Sequence, residues 1–269
     1  MNEGTTLLHA VLCRPGEAYV SFADASAHHF LERPDLRRAQ AQHDALVQLL
    51  TDHHVQVTVL PELEGHPNAV FTRDPLLITP AGYVTLRMGL PTRRGEEAWL
   101  AAAVDALGIP QAGAITRPGT VEGGDVILAG RVAFVGRSAR TNEAGFHQLA
   151  SLLQHMGYEV RSTYVPDEYL HIGGAMSMIA PDRVLACPGV FPPDFFDGFH
   201  VIWAPRGTPG QANVLCLAPN VVVADSAQMQ VIDTLRGHGV EVHVLDLSEF
   251  AKGAGGPTCL VQPIERNGG

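Results

Sequence analysis

With 269 residues and a formal net charge of -10, the chain is long enough to bury a substantial core. It has no clustered Lys and Arg of the kind that phosphate backbones require, which excludes a nucleic-acid partner. Hydrophobic residues make up 46% and charged residues 17%, the balance of a soluble globular protein, and no stretch approaches the roughly 18 apolar residues of a membrane span. Four scattered cysteines without a Cys-x-x-Cys pair, and an N-terminus without a signal-peptide pattern, place the protein in the cytoplasm.

In chain order, Leu7 to Leu12 reads as a strand, Arg37 to Asp52 as a helix with Leu46, Leu49 and Leu50 on one stripe, and Val55 to Leu60 as an alternating strand. A loop then carries Asn68 to Pro75 into the strands Leu76–Ile78 and Tyr83–Leu86. That order recurs. A helix over Glu96 to Leu107 and a strand at Ala114–Thr116 lead to Glu122-Gly123-Gly124-Asp125 and the strands Val126–Leu128 and Val132–Val135. A helix over Glu143 to Met156 and a strand from Tyr158 to Val165 lead to His171 and the strands Met176–Ile179 and Val184–Cys187. In the fourth pass the proline-rich segment Phe191 to Gly198 is a poor helix. Val201–Trp203 then leads to Gln211-Ala212-Asn213 and the strand Val214–Leu217. A last helix, Ala227 to Arg236, and a strand, Val240 to Leu245, precede the loop that delivers Cys259.

The residues delivered by these loops, Asn68, Glu122, His171, Asn213 and Cys259, are separated by 54, 49, 42 and 46 positions. A near-constant period of this size marks repeated supersecondary units. Five units of strand, strand, helix, strand are predicted, with the N-terminal strand completing the last, in preference to an ordinary two-layer α/β domain. Arranged around an axis, they bring five distant loops to one site. Residues 1–269 are therefore expected to form one catalytic domain.

The chemistry follows from which residues those loops carry. Cys259 lies where the glycine-rich Gly255-Gly256-Pro257 feeds an apolar run, the setting of a reactive thiol. A cysteine beside a histidine is the minimal unit of covalent catalysis. The carboxylates of Asp74 and Glu122 would oppose thiolate formation unless the substrate brings a positive charge. A guanidinium meets that condition, being planar, always charged and able to pair bidentately with carboxylates. Cys259 would attack its central carbon, and His171 would protonate the departing amine and then activate water. Arg93, Arg94 and Arg140, all in loop regions, are candidates for a substrate carboxylate. Neither metal nor cofactor is required: the pairs His28-His29 and His53-His54 lack the His-x-x-x-His spacing of a helical metal site. Asn213 is a candidate for substrate binding or for holding loop backbone, and Cys13, Cys187 and Cys216 read as packing residues.

Six segments occur in order: N-A-V-F-T-R-D-P at Asn68–Pro75, R-R-G-E at Arg93–Glu96, E-G-G-D at Glu122–Asp125, G-R-S-A-R-T-N at Gly136–Asn142, His171, and G-G-P-T-C at Gly255–Cys259. Together they resemble the guanidine-modifying superfamily of dimethylarginine dimethylaminohydrolases, arginine deiminases and amidinotransferases. The resemblance implies a five-bladed, pseudo-symmetric α/β propeller of the pentein type. It also implies Cys259 as nucleophile, His171 as acid and base, Glu122 as partner of histidine and substrate, Asp74 as guanidinium ligand, and Arg93 with Arg140 as carboxylate ligands. Asn68, Phe71 and Asp125 complete the substrate-binding set. The expected reaction is hydrolysis of arginine or an N-methylated arginine to citrulline plus ammonia or a methylamine. Alternatives are arginine deiminase proper, an amidinotransferase, or a non-catalytic binding protein on the same scaffold. Arg73, Gly173 and Ala254 depart from one or other subfamily pattern and leave the substrate branch open; a homodimer is also allowed.

Overall fold

The computed structural model describes residues 1–207 and 210–267. Its strands fall into five three-stranded sheets with one recurring plan, a central strand flanked by an antiparallel and a parallel neighbour. In the first, β1 (Leu7–Cys13) pairs antiparallel with β15 (Gln262–Arg266) and parallel with β2 (Gln56–Leu60), so the N-terminal strand does complete the last unit. The others are β3 (Leu76–Thr79), β4 (Gly82–Thr85) and β5 (Gln111–Ala114); then β6 (Val126–Ala129), β7 (Val132–Arg137) and β8 (Glu159–Tyr164). The last two sheets hold β9 (Met176–Ala180), β10 (Arg183–Ala186) and β11 (His200–Trp203), and β12 (Leu215–Ala218), β13 (Val221–Asp225) and β14 (Glu241–Leu245). This is the five-bladed α/β propeller that the spacing of the loops predicts.

A parallel third strand requires a crossover, and four of the five crossovers are helical. They are α1 (Leu36–Asp52), α2 (Glu96–Ala106), α3 (Glu143–His155) and, after the single turn α4 (Ile172–Ala175), the helix α5 (Met229–Gly237). In α1 the residues Ala39, Gln42, His43, Leu46 and Leu50 are buried, one face of a helix that Asp35 caps by accepting the Arg38 N–H at 2.8 Å. The fourth crossover has no helix. Its prolines and glycines give turns, and the segment is held by rings: Phe195, Phe196 and Phe199 surround Phe134 of β7 at centroid distances of 5.1, 5.7 and 5.3 Å.

Two expectations need correction. The strand expected at Ala114–Thr116 lies at Gln111–Ala114, because the chain leaves α2 through Gly108 and is already registered on β4 where the Tyr83 N–H meets the Pro110 carbonyl at 2.9 Å. Strand β13 was not anticipated. The segment between the strand expected at Val214–Leu217 and the helix expected from Ala227 was given no element; Asn220 takes φ 63°, a left-handed turn conformation that asparagine tolerates, and the apolar run after it folds back on β12.

The cap of α3 also ties the helix to the loop that delivers Glu122. Asn142 Oδ1 accepts the N–H of Gly145 at 2.8 Å and that of Thr120 at 3.0 Å. Asn142→Ala should lower stability by about 1–2 kcal/mol, read from urea unfolding; a change within the error of the melt would show that neither bond matters.

Candidate active site

The five loops deliver their residues at equivalent points, each ahead of the strand that pairs antiparallel with its blade's central strand: Asn68 before β3, Glu122 before β6, His171 before β9, Asn213 before β12 and Cys259 before β15. Each blade thus presents one loop to the hub. Asp74, Glu122 and His171 bring carboxylate and imidazole atoms within 4.8 Å of one another, and all three are buried.

Cys259 is set by its loop. Its N–H donates to the Gly256 carbonyl at 3.1 Å, and Asn213 Nδ2 approaches the Sγ at 3.4 Å. Asn213 Oδ1 accepts from the backbone N–H and hydroxyl of Thr258 at 3.1 and 2.8 Å. A Cβ on Gly256 would fall 2.7 Å from Asn213 Cγ, which is why glycine stands there. Asn213 therefore clamps the cysteine loop, the second of the two roles its sequence position allows.

His171 caps α4, and its Nε2 meets Glu122 Oε2 at 3.0 Å. Glu122 is saturated: its Oε1 accepts the backbone N–H groups of Gly89 and Leu90 at 3.0 and 3.1 Å, and Arg140 Nη1 sits 3.2 and 2.9 Å from its two oxygens. Asp74 accepts the Gly124 N–H at 3.0 Å on Oδ1 and Arg93 Nη1 at 2.6 Å on Oδ2.

Arg93 is the residue whose surroundings were least legible. It is buried, its Nε and Nη2 grip both oxygens of the fully buried Glu96 at 2.7–3.2 Å, and Nη2 also reaches the carbonyls of Asn68 and Phe71. Its Nη1 lies 3.8 Å from Glu122. Glu96 belongs to the R-R-G-E segment, but sequence reasoning gave it no role. The i,i+3 spacing across a helix start was the available signal. Arg140 uses only Nη1 on Glu122.

The remaining expected residues divide. Asn68 and Phe71 line a small cavity of about 20 Å³ with Asp74, Arg93, Arg140 and Cys259. Asn68 donates to the His28 carbonyl at 3.0 Å while its Oδ1 has no partner. Asp125 lies behind the site, accepting the Ile172 N–H at 3.0 Å and the Ser138 hydroxyl at 2.6 Å, so it fixes the turn that carries His171. His171 and Cys259 also border a larger cleft of about 500 Å³.

Charge sets the protonation states. Burial works against the His171 imidazolium, yet Asp125, Asp74 and Glu122 outweigh it and hold the group up at about 9. Burial would raise the Glu122 carboxyl, but His171, Arg93 and Arg140 keep it well below the usual range. Burial pushes Glu96 up to about 7. Cys259 is raised above the ordinary thiol range by burial, with Asp74 adding to it. The resting state is thus thiol with imidazolium. Iodoacetamide alkylation of Cys259 should accelerate about tenfold per pH unit from roughly pH 6 to 8, following the thiolate fraction. A rate independent of pH across that range would mean a thiolate already formed. His171 adds its own pH dependence: its folded value exceeds the unfolded 6.5, so its stabilisation is complete below about 6.5 and is lost as pH rises through about 9.

A cysteine, a histidine and two carboxylates at the hub of five α/β blades place the protein among the guanidine-modifying enzymes. The profile described as N,N dimethylarginine dimethylhydrolase, eukaryotic, matches residues 28–195, and that of arginine deiminase matches residues 209–266. The chain belongs to the dimethylarginine dimethylhydrolase family. It is 29% identical over 240 residues to N(G),N(G)-dimethylarginine dimethylaminohydrolase of Pseudomonas aeruginosa, covering 89% of this chain and 94% of that protein. The solved structure of a cysteine-to-serine variant of the Pseudomonas aeruginosa enzyme, complexed with citrulline, superposes with a TM-score of 0.84 at 28% identity over 95% of this chain and 98% of that one. The amidinotransferase SxtG from Microseira wollei shares the fold, with a TM-score of 0.83 at 18% identity over 100% of this chain and 97% of that one.

Proposed function

We propose that the protein hydrolyses a guanidino carbon–nitrogen bond of arginine or an N-methylated arginine, giving citrulline plus ammonia or a methylamine, and that residues 1–269 act as one catalytic domain. The observation that carries this reading is that Asp74 already holds a guanidinium. Arg93 Nη1 rests on it at 2.6 Å and stands 3.8 Å from Glu122, beside His171 and Cys259. A carboxylate pair that accommodates the chain's own guanidinium has the geometry and charge for a substrate's.

The substrate guanidinium would bind Asp74 through Oδ1, which carries only the Gly124 N–H, with Arg93 kept on Oδ2 and Glu122 close by, and its positive charge would favour the Cys259 thiolate that the resting site disfavours. Thiolate attack on the central carbon gives a tetrahedral adduct. Its collapse expels the amine, which takes a proton from His171 and leaves an S-alkylthiouronium on Cys259. Water, losing its proton to the same imidazole, then adds to that carbon, and departure of the thiolate yields the urea of citrulline. Glu122, bonded to His171 at 3.0 Å, orients the ring and stabilises its charged form. The unpartnered Asn68 Oδ1 suits a substrate ammonium, and the unused donors of Arg140 suit its carboxylate.

The arginine deiminase alternative is kept alive by residue 73. Arg73 replaces an acidic neighbour of Asp74, but it turns away from the pocket to the carbonyls of Gly123 and Val126 and to Glu3. It removes a carboxylate from the guanidinium without supplying another contact. A cytoplasmic setting is part of the proposal, supported by four free cysteines and by the finding that no helix among the described residues is long and apolar enough to cross a membrane. A colorimetric citrulline assay with arginine, monomethylarginine and asymmetric dimethylarginine tests the reading. Citrulline from at least one supports it and fixes the branch; none from any refutes it.

A further inference from the structure

On the far side of Gly124, Gly173 and Thr258 from the reaction centre lies a second cavity of about 20 Å³, lined also by Arg73, Arg266, Ser177 and Glu3. Its charge does not balance. Arg73 and Arg266 are both buried, and one carboxylate serves them: Glu3 Oε1 takes Arg73 Nη2 and the Leu128 N–H. Arg266, 4% exposed, has no carboxylate within ion-pair distance among the described residues. Its Nη1 is on the Thr5 carbonyl, and its Nε has no acceptor at all. The neighbouring Cys216 hydrogen-bonds Arg266 but cannot supply the missing charge, because burial pushes its thiol up to about 11 and its Sγ also donates to carbonyls.

A buried cation without a carboxylate of its own is costly in a protein interior. The donors around this one are aligned with a remedy. Besides Arg266 Nε, Arg73 leaves its Nη1 without a partner after committing Nε and Nη2. Ser177, also buried, accepts the Val214 N–H at 3.2 Å and keeps its own hydroxyl proton to give. We propose that this axial cavity binds a small monovalent anion, chloride under ordinary conditions, held by the guanidinium groups of Arg73 and Arg266 and the hydroxyl of Ser177. The volume is that of a single water-sized species, which excludes phosphate, sulfate and organic acids. None of these three side chains lines the small pocket that holds Asp74 and Cys259, so the anion would not compete with the substrate for room.

Two measurements test it together. Thermal unfolding of the wild-type protein and of Arg266→Met is followed as potassium chloride replaces potassium gluconate at constant ionic strength. Wild-type crystals grown in bromide are measured at the bromine absorption edge. The midpoint of the wild type should rise by about 3 °C for each tenfold increase in chloride above the dissociation constant, while that of Arg266→Met stays flat. Bromine should appear in the cavity within hydrogen-bonding reach of Arg266 Nε. An equal chloride response in both proteins, or a bromide crystal with no bromine signal in the cavity, overturns the proposal. Should Arg266→Met fail to fold, the wild-type crystal decides alone.

Discussion

Cys259→Ser should fold as the wild type does and form citrulline at least about 10⁴-fold more slowly, whichever of the three arginines proves to be the substrate. The exchange leaves the size of the side chain almost unchanged, and the Asn213 clamp on the Thr258 backbone and hydroxyl does not depend on sulfur. What changes is the nucleophile. A thiol raised by burial and by Asp74 can still lose its proton once the substrate brings a further positive charge beside it; a serine hydroxyl, ionising several pH units higher again, cannot. His171 cannot compensate by acting as a base towards serine, because three carboxylates hold it as imidazolium at neutral pH. Citrulline release and thermal unfolding are to be measured on the same preparation. Full activity in the serine protein would eliminate the covalent route; a lowered melting temperature would make the loss of rate uninformative about chemistry and is not expected.

The architecture was largely legible because the five loops repeat a single local instruction. In each blade a strand begins two to eight residues after a chemically conspicuous side chain, so the spacing from Asn68 to Cys259 reports the blade period. The fourth blade tested that logic. Its helix is missing, yet the parallel strand β11 still finds β10, because Phe195, Phe196 and Phe199 bury against Phe134 and do the work of a packed helix face. The polar partnerships were less legible for a physical reason. Whether an arginine faces solvent, substrate or its own protein is decided by what folds opposite it. For Arg73 that is Glu3, seventy residues earlier in the chain, and for Arg140 it is Glu122, on the neighbouring loop. Asp125 was expected at the substrate on the strength of its segment. It sits one layer deeper, where its carboxylate serves the backbone of the histidine turn.

Arg93 offers the strongest test of how that polar layer is held. Arg93→Met should destabilise the protein by about 3–5 kcal/mol, a fall in melting temperature on the order of 10 °C, and should also lower turnover. The penalty comes less from the bonds removed than from what they leave behind: the fully buried Glu96 would lose a guanidinium that grips both its oxygens, and Asp74 would lose its 2.6 Å partner. Glu96, already raised to about 7, would take up a proton. A second change separates stability from activity. In Arg93→Met/Glu96→Gln the stranded carboxylate is gone, so at least about 1 kcal/mol of stability should return, the non-additivity expected of residues in direct contact. Activity should not return with it, because Asp74 still lacks the neighbour that fixes its Oδ2 and the substrate still lacks the arginine that lies against Asn68 and Phe71. Were the single variant within 1 kcal/mol of the wild type, the Glu96–Arg93–Asp74 chain would not be what holds the pocket floor, roughly the limit of a weak surface pair. Were activity to recover in the double variant, Arg93 would matter to the site only as a counter-ion for Glu96.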